Sequence, residues 1–312
     1  MKDSRYLLAA ALQGLVLAFG IALGAQAADA GSKDLVLRGD AVCTTCHDSG
    51  MTPHVLEIGK TTMGTTADPR TPSCVSCHGE SLKHRQGDGM PDRTFDKKSQ
   101  TPIAERNAAC LTCHQGGERI HWTRSPHQNN EVACTSCHQV HTQHDKVRDR
   151  KTQTEVCFTC HKTQRAEMRR ASRHPIAEGK VVCSDCHNPH GTSGPNLLRR
   201  DSVNDTCYTC HMEKRGPFLH SHEPVQEDCT ICHNPHGSSN PTLLKVRLPF
   251  LCQTCHEPSR HPGTMPDPTA INSTLSNFST NKTVIMGRGC IQCHSNVHGS
   301  NTPNNDAAAF RH

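Results

Sequence analysis

Residues 183–190 read Cys-Ser-Asp-Cys-His-Asn-Pro-His, and residues 229–236 read Cys-Thr-Ile-Cys-His-Asn-Pro-His. Two thiols three positions apart, followed at once by an imidazole, form the attachment signal of c-type haem: the thiols meet the two vinyl groups and the histidine ligates the iron. The same pentapeptide occurs ten times in the 312-residue chain. Its cysteines and histidines are Cys43, Cys46 and His47; Cys74, Cys77 and His78; Cys110, Cys113 and His114; Cys134, Cys137 and His138; Cys157, Cys160 and His161; Cys183, Cys186 and His187; Cys207, Cys210 and His211; Cys229, Cys232 and His233; Cys252, Cys255 and His256; and Cys290, Cys293 and His294. All 20 cysteines are used. Zinc sites also use Cys-x-x-Cys pairs, but they close a tetrahedron without a histidine after every second cysteine. A disulfide framework leaves the ten histidines unexplained. Ten covalently bound c-type haems are the expected cofactors.

Composition agrees. Aromatic residues make up 3% of the chain, and hydrophobic residues reach 33% only when the 20 cysteines are counted. That is thin for a side-chain core at this length. The porphyrins are therefore expected to form the core, which makes the apoprotein a largely unfolded chain. The expected fold is a multihaem cytochrome c of short α-helices and irregular loops around an elongated chain of ten haems, with little or no β-sheet. The formal charge of +5 is misleading, since about 20 haem propionates would carry it toward roughly −15 if all were ionised. Lysines and arginines then read as propionate partners, and nucleic acid is not an expected partner.

Residues 1–27 resemble an export signal, with Lys2 and Arg5 before an apolar run from Leu7 to Leu23 and a small-residue cleavage site at Ala25-Gln26-Ala27. Retention of that run as a membrane anchor is the alternative. Beyond it no apolar run reaches spanning length and the mean hydropathy is −0.64, so the mature chain is not expected to touch lipid directly.

First cysteines at Cys110, Cys157, Cys207 and Cys252 lie 47, 50 and 45 residues apart, a period that marks an array. Each unit holds a haem motif, a lone histidine, then a second haem motif with a histidine close behind it. The array divides into five two-haem modules, at about 41–84, 108–141, 155–190, 205–236 and 250–298, with a mobile tail at 301–312. Three residues span at most roughly 10 Å, too little to carry His141, His190 or His236 to the far face of the haem on its own motif. Each is expected to ligate a neighbouring haem. Repeat position selects His84, His127, His141, His174, His190, His222, His236, His261 and His298 as distal ligands, leaving His54, His121, His144, His220 and His312 as surface or propionate-bonding residues. The first module lacks a histidine in the lone position. Met63 is the proposed axial ligand there, with His54, or an open or different ligand, as alternatives; a methionine would raise that haem's potential.

Residues 134–141, 202–211, 213–217 and 229–238 carry a family resemblance. Across about 42–300 the chain resembles the MtrA/DmsE-type periplasmic decahaem cytochromes of outer-membrane electron conduits, whose iron-oxidising relatives include MtoA and PioA. The resemblance implies a periplasmic cytochrome inserted in an outer-membrane β-barrel porin. It would exchange electrons with periplasmic or inner-membrane cytochromes on one side and with an extracellular cytochrome or iron mineral on the other. Metal-reducing members carry a histidine where this chain has Met63 in Lys-Thr-Thr-Met-Gly, and this departure favours Fe(II) oxidation over metal reduction. A sealed β-barrel also accords with physics, since a polar cytochrome crosses hydrocarbon only inside a sheath with fully paired backbone. The ligand count points to electron transfer without substrate turnover, so no catalytic residue is expected. A soluble periplasmic shuttle or store, and a multihaem reductase or other oxidoreductase, are the rival classes. All ten motifs end in His, and the only tyrosine beyond residue 27 is Tyr208; neither fact favours an enzyme with an open iron face.

Overall fold

The computed structural model describes residues 35–64, 71–256, 290–303 and 309–310. The expected export signal at 1–27, His261, residues 262–289 and the rest of the tail lie outside the described residues. Among those described there is no strand, only isolated bridges such as Ser172 with Ser238 and His220 with Ser300. The longest described helices are Leu35–Thr44 and Ile103–Leu111, of 10 and 9 residues.

The haem motif sets this texture. In most motifs the histidine amide donates to the carbonyl of the first cysteine, as from His138 to Cys134 at 2.9 Å and from His211 to Cys207 at 2.9 Å. That i to i+4 bond closes one helical turn, so both thiols and the imidazole share one face. The residues after the motif end the turn. At 187–189 the proline disfavours helical backbone in the residue before it, and His187 itself is already extended.

Polar side chains clamp the two motifs of a module together. Asp40 Oδ1 accepts from the amide of Cys74, Asn107 Oδ1 from that of Cys134, and Asn204 Oδ1 from that of Cys229, each at 2.8 Å. Each clamp residue stands three positions before the first cysteine of one motif and caps the opening amide of the next. Asn204 also donates to the carbonyls of Val225 and Gln226. In the third module Gln153 Oε1 receives the amide of Ser184 instead.

Two compact units result, one of residues 1–102 with 139–144 and one of residues 103–138 with 145–312. Their side-chain cores are small. The buried hydrophobic residues among those described are Ala109, Trp122, Ala133, Phe158, Ile176, Val182, Tyr208 and Ala309, against nine buried polar ones. Such a set cannot alone repay the ordering entropy of chains this long, which agrees with the expectation that a cofactor provides the interior.

Replacing Asn204 by Ala leaves the half-buried Cys229 amide and two carbonyls without this partner. Chemical denaturation of the holoprotein is expected to show a loss of about 1–3 kcal/mol, and a variant as stable as wild type would remove Asn204 as a clamp.

Candidate haem-binding sites

Histidine rings come together in a fixed pattern. His47 pairs with His84 at a centroid separation of 5.9 Å, His78 with His141 at 6.2 Å, His138 with His190 at 6.1 Å and His187 with His236 at 6.1 Å. His233 pairs with His298 at 6.1 Å, His161 with His127 at 6.1 Å, His211 with His174 at 6.3 Å and His256 with His222 at 6.0 Å. Every pair joins one motif histidine to one histidine outside the motifs. Ordinary ring packing obeys no such rule. Two metal–imidazole bonds of about 2 Å on one axis, with about 1 Å from nitrogen to ring centre at each end, put ring centres about 6 Å apart. The pairs therefore fit two axial ligands on opposite faces of a haem iron.

Hydrogen bonds fix the tautomers. Nδ1 of His78, His84, His127, His141, His174, His187 and His233 lies 2.7–3.0 Å from a backbone carbonyl. A carbonyl only accepts, so Nδ1 carries the hydrogen and Nε2 keeps the lone pair that a metal needs. Burial pushes the imidazoles of His78, His190, His236 and His298 below the ordinary histidine range, and His114 likewise, which keeps them neutral.

The trailing histidines reach back one module. His141, His190, His236 and His298 face the second motif histidine of the preceding module, and none pairs with its own. One turn does two jobs here. In Asn188-Pro189-His190-Gly191 the Asn188 Oδ1 accepts from the amide of His190 and lies 3.2 Å from its Nδ1, while the carbonyl of Pro189 accepts from His127. Asn234-Pro235-His236-Gly237 repeats the device, with the Pro235 carbonyl accepting from His174. Each turn thus orients two imidazoles that belong to different pairs. The glycine is required: Gly191 and Gly237 have φ of 110° and 140°, and a Cβ on them would lie 2.1 Å from the carbonyl oxygens of His121 and Glu167.

Thiols are also juxtaposed. The first cysteines of the two motifs lie close enough in every module to perturb each other electrostatically: Cys43 with Cys74, Cys110 with Cys134, Cys157 with Cys183, Cys207 with Cys229 and Cys252 with Cys290. Donation from Cys157 and Cys207 brings the Cys183 and Cys229 thiols down to about 7, while both donors are held protonated. None of the 20 cysteines is in a disulfide, and all are half-buried or exposed, within reach of a ligand edge. The closest metal-like cluster among the described residues, Asp40, Cys43 and Cys74, offers three groups and falls short of a structural zinc tetrahedron.

Among the expected distal ligands, eight histidines lie in the pairs. His261 is outside the described residues. Met63 is half-buried in the turn after Val55–Lys60, where Gly64 N donates to Thr61 O and Thr61 N to Ile58 O; His54 is exposed. Sequence reading missed the groups that orient the rings, namely Asn188, the Pro189 and Pro235 carbonyls, and Asp145 beside His138. The repeated Asn before and Gly after each Pro-His pair was the available signal.

Comparison with known proteins gives the same picture. The doubled CXXCH motif model matches residues 174–216 and 222–261, and each match opens at a distal histidine, His174 or His222, and runs past its paired His211 or His256. A cytochrome c-type protein NrfB-like model matches residues 74–152. Multiheme cytochrome MtrA of Shewanella baltica (strain OS185) is 42% identical over 275 residues, covering 85% of this chain and 80% of that protein.

Gly237→Ala is expected to displace the turn that orients both His236 and His174. Absorbance and magnetic circular dichroism of the purified holoprotein should report disturbed axial ligation at two sites together, and disturbance of none would disprove the shared-turn reading.

Proposed function

The chain belongs to the MtrA family of multihaem c-type cytochromes, and on that premise we propose that it carries electrons across the outer membrane along a row of ten covalently bound haems. The observation that carries the reading is the set of eight motif-to-distal imidazole pairs at 5.9–6.3 Å. With an imidazole on both faces, a site has no position for a substrate. Bound haem supplies one-electron exchange between ferric and ferrous iron. The chain's part is to fasten each porphyrin edge through two thiols, hold both axial nitrogens in the neutral tautomer, and keep neighbouring sites close through the contacting first cysteines. Cys43 to His294 supply the attachment groups. Distal roles fall to His84, His127, His141, His174, His190, His222, His236, His261 and His298, with Met63 as the tenth; because His47 and His78 already face His84 and His141, Met63 would serve a haem outside the first module.

No described helix is long and apolar enough to cross a membrane, so passage through hydrocarbon needs an enclosing chain. A β-barrel porin is the partner of that kind, with periplasmic cytochromes at one end and an extracellular cytochrome or iron mineral at the other. Export by residues 1–27 would place the chain in the periplasm, associated with the outer membrane. Met63 supports Fe(II) oxidation as the direction: a thioether ligand raises one potential above its bis-histidine neighbours, which suits acceptance of electrons from external Fe(II).

Mass spectrometry of the mature holoprotein is expected to show ten haem additions, and isolation from outer membranes to bring a porin with it. Ferric electron paramagnetic resonance should be wholly low-spin. The near-perpendicular pair His127–His161, at 88° between rings, should give a strongly anisotropic signal, and near-parallel pairs such as His138–His190, at 9°, a rhombic one. A high-spin fraction that binds and turns over nitrite or hydroxylamine would overturn the conduit in favour of an enzyme.

Met63→His is expected to abolish a far-red methionine-to-ferric-haem absorption and to lower one potential. Unchanged spectra and potentials would remove Met63 as a ligand.

A further inference from the structure

The groups that accept from the axial histidines are not all alike. Seven described imidazoles meet a neutral backbone carbonyl through Nδ1. His47 meets the hydroxyl of Thr52 at 3.3 Å and His190 the amide oxygen of Asn188 at 3.2 Å. His138 differs: its Nδ1 lies 2.7 Å from Oδ2 of Asp145, whose side chain is 16% exposed. Two other carboxylates approach axial rings without reaching hydrogen-bond distance. Glu213 stands 3.8 Å from His211 with both side chains more than half exposed. Glu167 stands 3.6 Å from His236, while it also accepts from Asn234 and has Arg170 at 4.0 Å. Against these, Asp145 combines a direct, short hydrogen bond to a paired histidine with shielding from solvent.

We propose that Asp145 is a tuning residue that makes the site framed by His138 and His190 the most reducing of the eight paired sites. This role rests on the reading of these two histidines as an axial pair. A carboxylate that accepts the Nδ1 hydrogen draws the ring toward imidazolate, which strengthens Nε2 as a donor and places negative charge beside the metal. Both effects favour ferric over ferrous iron. Low exposure limits screening of that charge by water and salt. The couple remains a one-electron exchange: no bond is made or broken and the shared hydrogen stays between Nδ1 and Oδ2. An electron rests least at this site, so partial reduction fills the positions around it first, and the site acts as a step that electrons cross without pooling.

Spectropotentiometric titration of the full holoprotein tests this with three variants. Asp145→Asn keeps the shape and removes the charge. About one tenth of the haem absorbance is expected to become at least tenfold easier to reduce, a rise of about 59 mV for a one-electron couple, while the remainder superimposes on wild type. Asp145→Glu should stay within threefold of wild type. Thr52→Asp transplants the carboxylate to His47 and should shift a different tenth in the opposite direction. This variant tests the effect even if Asp145→Asn is poorly folded. Superimposable titrations for Asp145→Asn and Thr52→Asp, with full haem content and unchanged low-spin spectra, would overturn the tuning role alone. The premise has its own readout: His190→Ala should open one site to carbon monoxide in the reduced protein, and failure to bind it would overturn the axial pair and the proposal with it.

Discussion

An iron held by two imidazoles needs them about 6 Å apart on opposite faces of one plane, and a segment of three residues beyond a proximal histidine cannot deliver the second. The distal ligand must arrive from elsewhere in the chain. This constraint explains the reach from His190 back to His138 and from His236 back to His187. Local helical turns then matter chiefly because they put two thiols and one imidazole on one face. The connections between them can be irregular, since the ligand bonds and not helix packing specify which segments meet.

Backbone polarity does the next part of the work. A loop-rich chain has many carbonyls outside helices and sheets, and buried ones need donors. Here the carbonyls of the exposed residues Pro189, Pro235 and Thr242 accept from imidazoles of the motif-to-distal pairs, which fixes each ring. Isolated bridges such as Ser172 with Ser238 sit beside these bonds, so the little extended pairing present serves to seat the turns. Leu243 donates to Ser172 Oγ in the same place. The result is a scaffold whose hydrogen bonds point at its cofactor sites.

The motifs, the alternation of lone and trailing histidines, and the absence of regular sheet among the described residues were legible because they recur at fixed local spacing. That His190 cannot serve its own motif was legible too, from chain length alone. The clamps were not. Asn107 meets the amide of Cys134 and Asn204 that of Cys229, 27 and 25 residues away, and an asparagine in an amphipathic stretch announces no such partner. Asp145 likewise reads as one acid in a charged run until its carboxylate is seen against His138. Met63 stood out only because the repeat created an expectation of histidine at its position. Ligands contributed by side chains at fixed register can be read from a repeat; ligand orientation by carbonyls and distant amides depends on the path of the chain between.

The shared Asn-Pro-His-Gly turns carry a consequence for biogenesis. His190 lies 52 residues beyond His138, and His236 lies 49 beyond His187. A chain threaded into an oxidising compartment from its N-terminus therefore presents each of these attachment motifs well before the partner that closes its far face. On the proposed ligation, every such site would pass through an interval with one axial position unmet, ending only when the next module had emerged and folded its turn. Maturation of the array would in this sense be directional, each unit finished by its successor, and a translational stop would leave the last completed pentapeptide chemically open.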